Sequence, residues 1–406
     1  MPIGEGSTVL LLIQTNTLPF TTASTMKFKS LLIAGAVALL GTASSFAQVE
    51  INLTGSTAFR SAAHSTILDV LGGQGVASYA HTGSTLSGAS QAVFTGTFNA
   101  KTYIIRTAWS GSTAGISSVA QQTDINVLDE TIAVPTTAGA ASQATGTKAV
   151  KAQFAFSDVG VALSNDPTAN LAGGPVGVVP FIFAASSTAP AELDNMTDQI
   201  FAALYSQGQM PLSTWTNNPA DDPVASPSTG RYVLPFGRNN GSGTRATALA
   251  ETQYGAFTAV QQYGADTVTA GAGQPINSLG TLGDGGQSSG GTLRNILASD
   301  FSNVSGENYV AIGYIGASDG ATVISNGGKA LKYNGVEFSI DNVINGSYTF
   351  WGYQQLYSIP ALDADQTAFD TALRNAIPNN LGSNFVAISA LKVTRNGGDG
   401  GPVSPN

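Results

Sequence analysis

The chain has 406 residues, a formal net charge of −9, two histidines and no cysteine. The acidic balance argues against a nucleic-acid partner, which would need a basic surface, and the lack of cysteine excludes disulfides and thiolate metal sites. Two histidines are too few for a metal cluster, so we expect neither a metal nor another cofactor.

Residues 26–47 have the three parts of a secretory signal peptide. They begin with positive charge, continue with an apolar core at residues 31–40, and end in a small-x-small cleavage site before Gln48. The apolar core is much shorter than the roughly 20 residues that span a bilayer. We therefore predict export to the periplasm or the medium, and interpret residues 1–25 as an upstream mis-start. No cysteine follows the cleavage site, so no lipid or other membrane anchor is expected.

Strands and helices alternate along the rest of the chain. The strand candidates are residues 49–54, 149–156, 176–184, 309–315 and 348–357. The helix candidates are residues 58–71, 191–207, 246–254, a short helix opened by Ser339, and residues 363–375. The segment 176–184 is nearly all apolar, which is typical of a parallel strand covered on both faces. This alternation predicts an α/β protein with mostly parallel sheets and flanking helices.

Stretches rich in small residues separate these elements. Residues 135–148, 216–230 and 271–291 are interpreted as loops or insertions. The tail, residues 396–406, is rich in Gly and Pro and is predicted to be flexible.

One segment matches an enzyme motif. Residues 286–290 read G-Q-S-S-G, the G-x-S-x-G pattern of the serine hydrolase elbow. That elbow requires a strand before it and a histidine later in the chain, but His64 and His81 both precede it. We therefore interpret the segment as a loop and predict that the protein is not an enzyme, with no catalytic residues.

Four loops share small residues with N–H and O–H donors, each near a predicted helix start. They are residues 55–58, 111–116, 156–159 and 237–245. A helix N-terminus offers unpaired N–H groups and partial positive charge, and small residues let an anion approach it closely. Arg238 adds a charged fork that can bind two oxygens at once. Each loop alone is ordinarily a cap and turn, but the four together predict an oxyanion-binding site.

These loops resemble, in the same order, the motifs of the periplasmic phosphate-binding proteins of ABC transporters, within the type II periplasmic binding protein superfamily. Residues 54–57 resemble the family's first loop, residues 111–116 its GSxxG loop, Ser157 and Asp158 its SD loop, and residues 238–244 its R-x-x-GSGT signature. The resemblance extends over about residues 49–357.

The resemblance implies two lobes with a ligand cleft between them. The first lobe would be discontinuous, made of residues 48–184 and 310–395, with residues 311–314 as the strand that returns to it. The second lobe would be residues 185–309. It also implies that the protein captures inorganic phosphate and delivers it to the membrane permease of an ABC transporter. We expect a monomer, although the sequence leaves the oligomeric state open.

The resemblance also assigns residues to the site. The residues that would hold phosphate are Ser56, Thr57, Ala58, Ser112 and Asp158 from the first lobe, and Arg238, Ser242, Gly243 and Thr244 from the second. Two positions depart from the family pattern. Asn240 stands where an acidic residue often braces the arginine, and Arg60 follows Phe59 where proline is common.

Asp158 is the residue from which we predict selectivity for phosphate. Near neutral pH phosphate carries at least one proton and sulfate carries none, so an ionised carboxylate can accept a hydrogen bond only from phosphate. The alternative for Asp158 is that it merely caps the next turn. Two alternatives remain for the whole protein. It could bind another tetrahedral oxyanion, such as sulfate or molybdate, or be a structural or adhesive extracellular protein on the same scaffold.

Overall fold

The computed structural model describes residues 48–73, 75–265 and 270–406. The proposed signal peptide and the segment upstream of it lie outside the described residues. Within the described part, no helix combines the length and the apolar character needed to cross a membrane.

Twenty strands and ten α-helices are present in the described residues. The strands are β1 (Val49–Gly55), β2 (Ser78–His81), β3 (Gln91–Phe98), β4 (Lys101–Ala108), β5 (Asp124–Leu128), β6 (Ala141–Gln143), β7 (Thr147–Lys151), β8 (Phe154–Ser157), β9 (Ala172–Ala185), β10 (Asn195–Met196), β11 (Met210–Pro211), β12 (Tyr232–Phe236), β13 (Gln262–Ala265), β14 (Leu279–Gly283), β15 (Tyr309–Gly316), β16 (Lys329–Ala330), β17 (Lys332–Tyr333), β18 (Trp351–Ser358), β19 (Val393–Arg395) and β20 (Val403–Pro405). The helices are α1 (Arg60–Val70), α2 (Ser112–Gln121), α3 (Glu130–Ala133), α4 (Asp198–Gln207), α5 (Ser213–Thr216), α6 (Gly243–Glu251), α7 (Gly290–Leu297), α8 (Ala317–Ser325), α9 (Ile340–Asn345) and α10 (Ala364–Ala376).

One large sheet organises the molecule. Its strand order is β11-β12-β15-β9-β18-β8-β1-β4-β3-β2-β6, and β16 also pairs with β9. The 14-residue strand β9 joins two halves, because β18 pairs along most of its length and β15 pairs with its last residues. We call the strands on the β1 side the first half and those on the β12 side the second half. Residues 311–314 belong to β15 and pair within the second half, so β18 is the strand that returns to the first half.

The α/β class predicted from the sequence is confirmed, but the strand directions differ from the prediction. Parallel pairs occur between β1 and β4, β1 and β8, and β12 and β15, whereas most other pairs of the main sheet are antiparallel. The apolar strand β9 is antiparallel to both β15 and β18. A strand covered on both faces is apolar whichever way it runs, so composition alone could not give its direction. The hairpin of β3 and β4 turns through Asn99 and Ala100, both with positive φ.

Several strands and helices also begin or end at other residues than predicted from the sequence. The strand predicted at residues 149–156 is two strands, β7 and β8, which belong to different sheets. Helix α4 begins at Asp198 rather than at residue 191, because the side chain of Thr197 caps it by accepting a hydrogen bond from the N–H of Ile200 at 3.2 Å.

The tail predicted to be flexible instead forms a hairpin. Strand β20 pairs with β19, and Arg395 anchors the hairpin by pairing with Glu251 at 2.9 Å and lying 4.4 Å from the ring centre of Trp351. Asp399, in the turn, accepts a hydrogen bond from the backbone N–H of Gly160 at 2.6 Å. These contacts join residues far apart in sequence, and so the Gly- and Pro-rich composition did not reveal them.

The hydrophobic core lies against both faces of the sheet. Its largest cluster includes a group of fully buried aromatic side chains where β9 and β18 meet, namely Phe181, Phe183, Phe350 and Trp351. Phe183 and Phe350 stack with ring centres 4.8 Å apart. Burial of apolar surface is the dominant favourable term in folding, so these rings stabilise the packing where β9 and β18 meet.

Candidate functional site

Three strand ends of the first half bring three of the predicted loops together. Strand β1 is parallel to β4 and β8, with Thr54 opposite Ala108 and Gly55 opposite Phe156. Their carboxyl ends therefore meet at one edge of the sheet, which is where open α/β sheets usually bind ligands. The loops that follow carry Ser56, Ser112 and Asp158.

Glycine allows the close packing at this edge. Gly55 has a φ of +111°, and a Cβ there would lie only 1.9 Å from the carbonyl oxygen of Phe156. A Cβ on Gly115 would lie 2.5 Å from the Cα of Gly55. A larger residue at Gly55 would therefore displace β8, and one at Gly115 would push helix α2 and its N-terminus away from β1.

The second half presents its own strand ends to the same place. Strands β12 and β15 are parallel, with Phe236 opposite Gly313. Arg238 follows β12, and Ser242 caps helix α6 by accepting a hydrogen bond from the N–H of Arg245 at 3.3 Å. The helix begins at Gly243, three residues earlier than predicted, so the GSGT segment forms its first turn.

Direct hydrogen bonds join the two halves at this point. The backbone N–H groups of Thr113 and Ala114 donate to the carbonyl oxygen of Gly241 at 3.2 and 3.3 Å. Helices α2 and α6 therefore meet with their N-termini side by side. Both ends carry partial positive charge, and such an arrangement favours an anion between them.

Asp158 lies between these two helix ends and is buried. The hydroxyl of Ser112 donates to its Oδ1, and the hydroxyl of Thr244 donates to its Oδ2 at 3.2 Å. Its backbone N–H donates to the Ser112 oxygen at 3.2 Å. A Cβ on Gly243 would lie 2.6 Å from that oxygen and 3.0 Å from the Asp158 carboxyl carbon, so only glycine fits there without displacement.

Arg238 is the buried cation of the site, with 2% of its surface exposed. Its Nε and Nη2 donate to the carbonyl oxygens of Gln287 and Ser288, both at 3.0 Å. Burial lowers the pKa of Arg238 to about 10, although the nearby carboxylates of Asp158 and Asp319 act to raise it. The guanidinium therefore stays charged at neutral pH.

The predicted site residues fall into two groups. Ser112, Asp158, Gly243 and Thr244 are in mutual contact, with Arg238 and Ser242 beside them. Ser56 lies next to the Asp158 loop, because its backbone N–H donates to the carbonyl oxygen of Phe156 at 2.8 Å. The hydroxyl of Ser56 accepts a hydrogen bond from the N–H of Phe59 at 3.3 Å. Thr57 and Ala58 instead line a separate polar cavity beside the site.

The loop that orients Arg238 was missed from the sequence. Residues 286–290 were interpreted as a loop, yet Gln287 and Ser288 within them supply the two carbonyl oxygens that hold the guanidinium. They also lead into helix α7, which Ser289 caps by accepting a hydrogen bond from the N–H of Thr292 at 3.1 Å. A serine followed by apolar residues at helical spacing, here Leu293 and Ile296, is the signal that would have revealed this helix.

A second arginine supports the same loop. The guanidinium of Arg245 donates to the carboxylate and, at 2.9 Å, to the carbonyl oxygen of Asp284, and at 3.3 Å to the carbonyl oxygen of Arg238. Arg245 thus braces the backbone that carries Arg238. Among the described residues, no cluster of three His, Cys, Asp or Glu side chains could hold a metal ion.

No protein-family model matches the chain, and no curated protein matches its sequence. Among solved structures, it is similar to a protein described as a phosphate ABC transporter substrate-binding protein, with bound phosphate, from Clostridium perfringens (14% identity, 84% of this chain and 99% of that chain, TM-score 0.49). It is also similar to an ABC-type phosphate transport receptor from Vibrio cholerae (12%, 83% and 99%, TM-score 0.43) and to PstS from Borrelia burgdorferi (15%, 84% and 98%, TM-score 0.38). At such identities and TM-scores the ligands of those proteins decide nothing about this chain, and its function has to be inferred from its own residues.

Proposed function

We propose that the protein is an exported binding protein that captures inorganic phosphate between helices α2 and α6. The observation that carries the proposal is the meeting of these two helix N-termini around Asp158, with the buried charge of Arg238 alongside. Hydroxyls, backbone N–H groups and one guanidinium are the donors that a tetrahedral oxyanion needs. The proposed ligand-binding residues are those assigned from the sequence.

Binding requires the two hydroxyls on Asp158 to change partners. In the structure Ser112 and Thr244 both donate to this carboxylate. When phosphate enters, these hydroxyl protons would turn to its oxygens, and the phosphate O–H would donate to Asp158 in their place. Sulfate has no proton to donate, so it would leave the buried carboxylate unpaired and facing another anion.

Calorimetric titration tests the proposal. Dialysed protein should bind phosphate, and should discriminate against sulfate and molybdate by a large factor, since such mismatches can reach about 10⁴-fold. In Asp158→Asn the amide offers an N–H₂ donor as well as its acceptor oxygen, so the discrimination should fall sharply.

The possible results separate the alternatives. A wild-type protein that prefers sulfate or molybdate would be an oxyanion-binding protein of another class. A protein that binds none of the three anions would favour the structural or adhesive alternative. Unchanged selectivity in Asp158→Asn would remove Asp158 from the role proposed for it.

The transport role follows from the same proposal. We propose two lobes, the first discontinuous, that close on phosphate and deliver it to the permease of an ABC transporter. A ligand that contacts both halves favours the closed arrangement over the open one. Small-angle scattering with and without phosphate should show a smaller radius of gyration in the bound state, and an unchanged radius would contradict closure.

A further inference from the structure

Three arginines converge on the first two residues of helix α7. A Cβ on Gly290 would lie 2.3 Å from Oδ2 of Asp319 and 3.7 Å from Nη1 of Arg238. A Cβ on Gly291 would lie 3.1 Å from Nη2 of Arg60 and 3.7 Å from Nη2 of Arg294. The two glycines leave the N-terminal end of the eight-residue helix open to these guanidinium groups. The whole chain is acidic, so this concentration of positive charge is local.

Of the three arginines, Arg60 has the fewest partners for its positive charge. Only 6% of its surface is exposed, and it makes no hydrogen bond or ion pair with any described residue. It is also the first residue of helix α1, where the helix dipole disfavours a positive charge. Burial lowers the pKa of Arg60, and the nearby charge of Arg294 acts in the same direction, against the opposing effect of Asp319.

One carboxylate faces this group, and it is already engaged. Asp319, in the first turn of α8, pairs with Arg294 at 3.3 Å. Arg60 and Arg294 therefore share a single negative charge. Burying an uncompensated charge is strongly unfavourable, which indicates that a further anion belongs here.

A cavity of about 220 Å³ lies beside Arg60 and Arg294. Arg60, Arg294 and Asp319 line it together with Thr57, Ala58 and other small polar residues. Thr57 and Ala58 are also two of the residues predicted to hold phosphate from the first half. The cavity thus lies beside the proposed phosphate site and shares these two assigned residues with it.

We propose that this cavity is a second oxyanion subsite, which binds the distal phosphoryl group of a ligand with two linked phosphoryl groups, such as inorganic diphosphate. The inference rests on the proposed function, since the proximal phosphoryl group occupies the Arg238 site. Arg238 lies beside Gly290 and Arg60 lies beside the next residue, Gly291, so the two sites are neighbours. Two separate anions so close would repel each other, whereas linked phosphoryl groups are held together covalently.

The test compares orthophosphate with diphosphate in calorimetric titrations of the mature chain. Wild type should bind diphosphate about tenfold or more tightly than orthophosphate, because the second group gains charge-assisted hydrogen bonds. Arg60→Gln should lose most of that preference, and should weaken orthophosphate much less than diphosphate, because Arg60 acts on the Arg238 site only through its charge. Arg374→Gln is the matched control, because Arg374 pairs with Asp370 on helix α10 and the substitution removes the same charge away from the cavity.

Arg294→Gln is the second variant, since Arg294 is 30% exposed in its side chain and tolerates change better than buried Arg60. It should also reduce the preference for diphosphate. Equal weakening of both ligands, no weakening of diphosphate, or two orthophosphate ions bound per chain would overturn the inference. If orthophosphate binds but diphosphate does not, the inference fails and the proposed function stands. If only diphosphate binds, and binding depends on Arg60, the proposed function fails and the subsite stands.

Discussion

Arg106 and Arg238 are both almost completely buried, yet the structure treats their charges differently. Arg106 donates to Glu130 through Nε at 2.8 Å and to Glu50 through Nη1 at 2.9 Å. Although burial alone would lower the pKa of Arg106, these carboxylates raise it above its usual value. Among the described residues, the guanidinium of Arg238 donates only to neutral carbonyl oxygens, and burial lowers its pKa.

The difference in partners indicates that Arg106 serves the fold, whereas Arg238 is available for a ligand. A guanidinium that serves the fold brings its counter-charges with it, because an unpaired buried charge is destabilising. A guanidinium that serves a ligand is held in place by carbonyl oxygens, which orient it without cancelling its charge. The comparison predicts that stability depends on the first arginine and affinity on the second.

Replacing Arg106 should have the largest effect. Arg106→Met removes the charge-assisted hydrogen bonds to Glu130 and Glu50 and leaves Glu130 paired only with Lys148. It should lower the free energy of unfolding by about 3–4 kcal/mol, since hydrogen bonds to charged groups contribute about 1.5–3 kcal/mol each. Urea denaturation measures this change. Phosphate affinity should remain within about threefold of wild type. An equal loss of affinity would show that the two arginines do not divide their roles in this way.

Arg238→Ala should instead weaken phosphate binding by about 1.5–3 kcal/mol, the range for hydrogen bonds to charged groups. Calorimetry measures the affinity, and urea denaturation should show no comparable loss of stability. Arg238→Lys should restore only part of the affinity, because a point charge cannot replace the planar fork. Binding as tight as wild type in Arg238→Ala would show that the site lies elsewhere.

His64 shows a third way to bury a base, which is to keep it neutral. Trp109 donates to Nε2 of His64 at 2.9 Å, and Nδ1 of His64 lies 2.8 Å from the carbonyl oxygen of Leu86. Burial lowers the pKa of His64 to about 3. The unfolded chain takes up a proton at this residue below about pH 6.5 and the folded chain does not, so stability falls as the pH falls. By pH 5 the loss should be about 2 kcal/mol relative to pH 7.

Urea denaturation between pH 7 and pH 5 measures this loss, with His64→Gln as the variant that cannot titrate. The variant should be less stable at pH 7 and should depend less on pH over this range. The same dependence in both proteins would mean that other groups cause it.

Asp319→Asn should have the smallest effect, and in the opposite direction. The carboxylate of Asp319 acts on Arg238 and pairs with Arg294, so it weakens the positive field at the site. Its removal should tighten phosphate binding by about two- to tenfold. Asp370→Asn, which removes a carboxylate paired with Arg374, is the control and should leave the affinity unchanged. Weaker binding in Asp319→Asn would mean that Asp319 mainly positions the arginines.

The sequence predicted the parts of the site that depend on local patterns. Ser112, Asp158 and Thr244 were assigned from short motifs, and the structure brings them into contact. The cap Ser339 was also recognised, because a cap acts within a few residues of itself.

The remaining features depend on contacts between distant segments. The carbonyl oxygens of Gln287 and Ser288 hold Arg238 although they lie about 50 residues away in the chain. Every residue has a backbone carbonyl, so the sequence cannot indicate which of them will bind a side chain. Arg294 and Asp319 lie on separate helices that meet only in the folded chain. The direction of β9 was missed for the same reason, since it depends on which strands lie beside it.

The C-terminal hairpin links the site to the order in which the chain is made. Asp399 holds the backbone of Gly160, two residues after Asp158, yet 239 positions separate the two partners. Ribosomes build proteins from the N-terminus, so nearly the whole chain must exist before this hydrogen bond can form. A chain cut short at its C-terminus would keep every proposed ligand-binding residue and lack the support of the loop that carries Asp158. The support of the loop that carries Asp158 therefore depends on a segment far from it in the sequence.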